Sequence, residues 1–172
     1  SQARLAEQQY DFETAQRLFM DFRKRFPKNA ESKKALYNAA VFSELLEKNE
    51  SAIQLYNEYL SDRSVNETER RAIAESQVKI YRRMGQFDKM AAGLRKLARD
   101  SRGLEDKMRY TAELARQYDV AGKVTEKNGV LKELKYQYES SKEAKVSGTA
   151  AYYVAEAMFQ AVAPKREKYA EV

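Results

Sequence analysis

The sequence predicts an all-α chain made of repeated helix-turn-helix units, and three observations carry that prediction. Only six Gly and two Pro punctuate 172 residues, of which 43% are hydrophobic and 34% charged, too few turn residues for a strand-and-turn fold. Apolar residues recur at the spacing of helix faces. A small set of positions also returns at a nearly constant interval, the signature of a repeat architecture.

The interval is read from four anchors. Ala15, in YDFETAQRLF, has Phe12 three residues before it, Phe19 four after, Phe22 seven after and Pro27 twelve after. Ala52 has Tyr56 and Tyr59 at the same +4 and +7. Met90 has Gly85 at −5, Phe87 at −3, Leu94 at +4 and Leu97 at +7. Lys127 has Gly122, Val124, Leu131 and Leu134 at those four places. The anchors stand 37, 38 and 37 residues apart.

Each anchor heads the second helix of a pair, which divides the chain into units of approximately 1–28, 29–64, 65–101 and 102–140, with a partial fifth unit at 141–172. In the first unit the second helix starts behind Tyr10 and stops at Phe26-Pro27, because proline cannot continue a helix and disfavours helical geometry in the residue before it. Only a remnant of its leading helix precedes Tyr10. First helices of later units are expected over 30–48, 66–84 and 103–121. Asn66 with Glu69 forms a capping box at the start of one of them, and Gly85 and Gly122 sit where a helix should end and turn. Ser140-Ser141-Lys142-Glu143 reads as another capping box, opening the fifth unit, whose first helix is GTAAYYVAEAMFQAVAP. The next anchor falls on Pro164, which cannot sit inside a second helix. The register is therefore lost there or the last helix is terminal and atypical, with KREKYAEV a short final helix or a tail. Both ends look cut, as expected for a piece of a longer array that begins at Ser1.

Residues at +4 and +7 from an anchor share one helical face. The packing set is thus Ala15, Phe19, Phe22, Ala52, Tyr56, Tyr59, Met90, Leu94, Leu97, Leu131 and Leu134, joined by Tyr81 and Tyr118 of the first helices. Ala15 and Ala52 allow close approach and Met90 fills the same contact. Lys127 is not small, so its unit is degenerate or its stem snorkels outward. One tyrosine of the Tyr152-Tyr153 pair must face away from the core.

The chain has neither Cys nor His. That removes disulfides, thiolate nucleophiles, His bases, Ser-His-Asp triads and the usual zinc sites, and no spaced carboxylate motif replaces them. The expectation is a protein without catalysis, cofactor, metal or small-molecule substrate. The longest uncharged run, residues 146–155, is far short of the roughly 20 apolar residues of a membrane span. A formal charge of +6 suggests a preference for acidic partners. Twenty-six acidic residues among 32 basic ones argue against the dense basic stripe of a nucleic-acid binder, which stands as the alternative reading.

These positions resemble the tetratricopeptide repeat family. The matches are Ala3, Ala40 and Ala115 at its first small position, Tyr81 and Tyr118 at the large position of the first helix, and Gly85 and Gly122 at the turn. Phe12 and Phe87 follow the turn, Ala15 and Ala52 stand in the second helix, and Pro27 closes the unit. The period is longer than the family's 34 residues, and the tryptophan-type position is never Trp. The resemblance implies a right-handed α-solenoid of about four repeats with a terminal helix. It also implies a concave surface, lined by first helices, that binds a peptide or helix of another protein. By offset, the groove residues would be Tyr37, Val41, Glu44 and Leu45, then Glu75, Lys79, Arg82 and Arg83, then Ala112, Arg116, Asp119 and Val120, with Arg109 one turn earlier and Arg4 and Glu7 from the first unit. Asn38 sits where some family members hold a peptide's backbone or terminal carboxylate, although the companion basic residues of that clamp are absent from its unit. Longer-period repeats of this kind resemble those of bacterial cell-envelope, motility and secretion complexes. The expected partner is another protein, acidic in the segment it offers, with self-association through the cut ends as a further expectation. The compartment, periplasm or cytoplasm, is left open.

Overall fold

The structure, a computed structural model, describes residues 2–142 and 147–170, with side chains described for 11–142 and 147–159. The described residues are helical throughout, with no strand among them: α1 (Gln2–Arg25), α2 (Glu31–Leu45), α3 (Asn49–Leu60), α4 (Glu67–Arg83), α5 (Phe87–Asp100), α6 (Leu104–Val120), α7 (Val124–Ser140) and α8 (Gly148–Ala170). They fall into two compact halves, Ser1–Gln86 and Phe87–Val172.

In the N-terminal half α2 packs between α1 and α3, and α4 packs on α3. The core gathers Leu36, Ala39 and Ala40 of α2, Ala52, Leu55, Tyr56 and Tyr59 of α3, and Ile73 and Ile80 of α4. Ile73 and Ile80 are seven residues apart, two turns along one face, which is why one face of α4 alone joins this core. α1 is the outer layer: Phe12 and Phe19 flank Phe42 at ring distances of 5.5 and 5.9 Å. Gln16 donates to the buried Ser43 hydroxyl at 2.5 Å, and Arg23 forks onto Glu58 of α3.

Two expectations about the ends are corrected. α1 runs unbroken from Gln2 to Arg25, so Ala3, Arg4 and Glu7 belong to the same helix as Ala15 and not to a separate leading helix. The reason is local: the stretch before Phe12 holds no Gly, Pro or Asn, and Tyr10 stands where Gly85 and Gly122 make their turns. At the other end α8 continues through Pro164 to Ala170. The residues after Pro164 thus extend one long helix rather than forming a short helix of their own. A mid-helix proline removes one backbone hydrogen bond, and here it does not end the helix.

The links between helices explain the boundaries. α1 stops at Arg25 ahead of Phe26-Pro27, and Asn29 Oδ1 accepts from Glu31 N–H at 2.8 Å to open α2. Asn66 and Glu69 exchange both capping-box bonds at 2.9 and 3.1 Å, as the sequence predicts. The other oxygen of Glu69 accepts from Tyr59 Oη at 3.0 Å, tying the end of α3 to the start of α4. Arg70 clasps the intervening loop through the carbonyls of Leu60, Asp62 and Val65. The capping box expected at 140–143 does not open α8. Ser140 is the last residue of α7 and Ser141 is extended, while Glu143 lies outside the described residues. Ser147 caps α8 instead, its hydroxyl accepting from Ala150 N–H at 3.1 Å.

Three links are the same turn. Gly85 and Gly122 have φ of 66° and 67°, and Glu47 has φ of 56°. At each, the residue with positive φ donates its N–H three residues back: Glu47 to Glu44, Gly85 to Arg82, Gly122 to Asp119. The next residue donates five back: Lys48 to Ser43, Gln86 to Tyr81, Lys123 to Tyr118. This pair of bonds is the Schellman helix ending. Each such residue lies five before an anchor, so the interval seen in the sequence is a repeated backbone geometry.

Candidate partner-binding faces

Ala52, Tyr56, Tyr59, Met90, Leu94, Leu97, Tyr118, Leu131 and Leu134 are buried, while Ala15, Phe19, Phe22 and Tyr81 are half-buried. The anchors Ala52, Met90 and Lys127 have relative exposures of 0%, 2% and 4%. Lys127 therefore does not snorkel out. Its stem fills the anchor contact, and its Nζ donates to Asp119 Oδ1 at 2.6 Å. Asp119 is itself half-exposed, so the pair reaches water through its carboxylate and the ammonium is not stranded.

Nine of the groove candidates separate by environment, and the side chains of Arg4 and Glu7 lie outside the described ones. On α2, Tyr37 and Val41 are half-buried and pack on the N-terminal core. The Tyr37 ring lies 5.3 Å from Tyr59 and 6.4 Å from Tyr56. They serve the fold first. Asn38 is half-buried beside them on the same helix.

On α4, Lys79, Arg82 and Arg83 are exposed and Glu75 is half-buried. Positions 75 and 82 lie on the side of α4 away from Ile73 and Ile80, while Lys79 and Arg83 flank it, roughly 100° and roughly 60° around the helix from Ile80. Arg83 also reaches Glu44 of α2 at 4.0 Å. Glu44 accepts from Tyr56 Oη at 2.7 Å. Burial and the Glu44 carboxylate together push the Tyr56 hydroxyl above the ordinary tyrosine range. Burial first, then Glu69, pushes the Tyr59 hydroxyl up to about 12. Both hydroxyls stay protonated donors at neutral pH, and they hold the helices from which the α4 face projects.

On α6, Arg109 and Arg116 are exposed but engaged along their own helix. Arg109 pairs with Asp106 at 3.1 Å and lies over the Tyr110 ring at 4.3 Å, and Arg116 pairs with Glu113. The α4 candidates belong to the N-terminal half and the α6 candidates to the C-terminal half. Their charges are also differently placed. The α6 arginines have carboxylates one turn away on the same helix; α4 sets Lys79, Arg82 and Arg83 in one row, with Glu75 one turn before Lys79 and Glu44 reached by Arg83.

Offsets taken from first helices alone do not find two cavities in the C-terminal half. One, of about 390 Å³, is lined by Arg95, Ala98 and Arg99 of α5 and by Lys107, Thr111 and Leu114 of α6, with Glu133 of α7 at its third wall. Gln137 Nε2 donates to Glu133 at 3.1 Å and lies 3.5 Å from Thr111 Oγ1, so α7 is tied to α6 beside this space. The other, of about 300 Å³ and more apolar, lies between α7 and α8, lined by Asn128, Leu131, Lys132, Lys135, Val154, Ala157 and Met158. Near it stand exposed apolar side chains: Tyr136 is 72% exposed, Met158 47% and Phe159 63%. Tyr152 is the outward member of its pair, at 62% exposure, with its ring 5.8 Å from that of the half-buried Tyr153. The sequence signal for these cavities was available: both use residues five and eight beyond an anchor.

Among the described residues no group of three or more His, Cys, Asp or Glu is placed to hold a metal ion. No helix among them is long and apolar enough to cross a membrane. Comparison of the chain with protein-family models, curated proteins and solved structures gives no match.

Proposed function

We propose that this chain is a non-catalytic scaffold of tetratricopeptide-like helical hairpins, arranged as a right-handed α-solenoid, that binds a segment of another protein. The observation that carries this reading is the Schellman turn repeated at Glu47, Gly85 and Gly122, each five residues before a buried anchor. Such repetition builds extended surfaces and makes no enclosed site for chemistry. The binding face we assign is the exposed row Lys79, Arg82 and Arg83 on α4. Arginine presents a planar fork that matches a carboxylate, and lysine adds a point charge, so the partner offers an acidic peptide or helix. Cell-envelope, motility and secretion assemblies of bacteria are the setting we infer from the long repeat period.

The test is capture of partners from native lysate on the wild-type chain and on the Lys79→Glu/Arg82→Glu variant, read by mass spectrometry. Both residues are exposed, so the variant is expected to keep its far-ultraviolet circular dichroism and Tm. The expected result is a protein retained by the wild type and lost by the folded variant. Equal retention by both would remove α4 from the binding face, and enrichment of nucleic acid that nuclease abolishes would favour the alternative reading.

A further inference from the structure

The two cavities of the C-terminal half lie between successive helix pairs and share two lining positions. Arg95 and Ala98 lie five and eight residues beyond the anchor Met90, and Lys132 and Lys135 lie five and eight beyond the anchor Lys127. Leu94 and Leu131, at +4, are both buried, and of the two Leu131 lines its cavity. The first groove, between α5 and α6, is faced by a following helix: α7 packs on α6, buries Val130 and Leu134, and brings Glu133 to the cavity wall. The second groove lies between α7 and α8, and among the described residues no further helix faces it.

We propose that the α7–α8 groove is a docking site for an amphipathic helix of a partner protein, one that carries an apolar stripe beside carboxylates. The lining of the α7–α8 groove defines the occupant: Leu131, Val154, Ala157 and Met158 receive an apolar stripe. Lys132 and Lys135 meet the carboxylates, and among the described residues no acidic one lines the cavity. Lys135 is shared with Glu139 at 3.6 Å, an exposed contact that a partner carboxylate can replace. Helix-in-groove recognition through anchors at i, i+3 or i+4 and i+7 is a general mode of peptide binding. This surface is separate from the basic row of α4, and either can fail without the other.

The test uses two fluorescein-labelled peptides of about 18 residues, long enough for five helical turns. Both place aliphatic residues at the spacing of Val130 and Leu134. One flanks the stripe with glutamates, the other with lysines. Binding is read by fluorescence anisotropy against the wild-type chain, Lys132→Glu/Lys135→Glu, Met158→Glu and Lys79→Glu/Arg82→Glu, each checked for helicity. The glutamate peptide is expected to bind the wild type, and the α4 variant is expected to retain the groove site that the other two variants lose. Its affinity should fall roughly tenfold or more in each of the other two variants, and the lysine peptide should bind more weakly throughout. Equal binding of both peptides, no binding of the glutamate peptide up to about millimolar concentration, or full binding to Met158→Glu would each overturn the proposal. A dimer in sedimentation equilibrium that Met158→Glu dissolves would also overturn it, by assigning the groove to a second copy of the chain.

Discussion

The hairpins α2–α3 and α6–α7 share a turn and differ in what the turn holds together. Both close through the same pair of backbone bonds, yet one uses Glu47 and the other Gly122 at the residue with positive φ. Both bury the anchor eight residues after a carboxylate, yet the anchors are Ala52 and Lys127. In the first hairpin Glu44 accepts from Tyr56, one turn past the anchor; in the second Asp119 accepts from the anchor itself. In these two hairpins the shared element is a backbone ending plus a carboxylate that takes a hydrogen bond from the facing helix, whereas the Gly85 turn carries Arg82 at the carboxylate's place. The residue filling the contact can be as different as alanine and lysine provided the carboxylate is used accordingly.

The largest effect expected from breaking this comparison is at Asp119. Asp119→Ala leaves the Lys127 ammonium buried without its partner and should destabilise by about 2–3 kcal/mol, at the lower end for a broken buried pair because Asp119 is half-exposed. Chemical denaturation measures it, and the companion Lys127→Met should come within about 1 kcal/mol of wild type. A mild Asp119→Ala would show that water already serves the ammonium.

Next is Ala52→Leu, which forces a larger side chain into a contact with no exposed surface and should cost about 2 kcal/mol. An unchanged Tm would mean that α2 and α3 do not meet at Ala52.

The turns should respond in opposite directions. Nothing lies within 4 Å of a Cβ built at Gly122, so Gly122→Ala meets no clash and should lose about 1 kcal/mol through the left-handed backbone alone. Glu47→Gly relieves that same backbone and should gain up to about 1 kcal/mol. Thermal melts of the two single variants decide it, and a destabilised Glu47→Gly would remove the equivalence of the turns.

The smallest effect separates the halves by pH. Tyr56 and Tyr59 ionise at higher pH in the folded chain than in the unfolded one, where tyrosine titrates near about 10. Their contribution is therefore full below about pH 10 and is lost as pH rises towards about 12. Alkaline titration followed by amide exchange should loosen α2–α3 before α6–α7. Tyr56→Phe/Tyr59→Phe should abolish that difference, and simultaneous loosening in the unsubstituted chain would contradict it.

Much of the fold was legible because backbone endings leave marks in sequence. Gly85, Gly122, Pro27 and the Asn66–Glu69 box each have one strong local meaning, and the structure uses each accordingly. Glu47 was not legible, because a side chain held at positive φ by hydrogen bonds on both sides leaves no compositional trace. Continuity of α1 through Tyr10 and of α8 through Pro164 was missed for the opposite reason: the repeat supplied an expectation of a break that the local residues did not enforce. The candidate sites were less legible still. Offset identifies the face of a helix on which a residue lies, but Tyr37 and Val41 are drawn into the core by the aromatic rings of α3, and Arg116 is met by Glu113 on its own helix. Both depend on neighbours that an offset does not include.

The α4 face is tested most directly by acetylating the lysines of the free chain and of the chain saturated with its captured partner, and reading each site by mass spectrometry. The account expects Lys79 to be acetylated markedly more slowly in the complex, while exposed lysines remote from α4, such as Lys24, react at the same rate in both. A Lys79 that reacts equally fast free and bound would contradict it and move the binding face elsewhere on the chain.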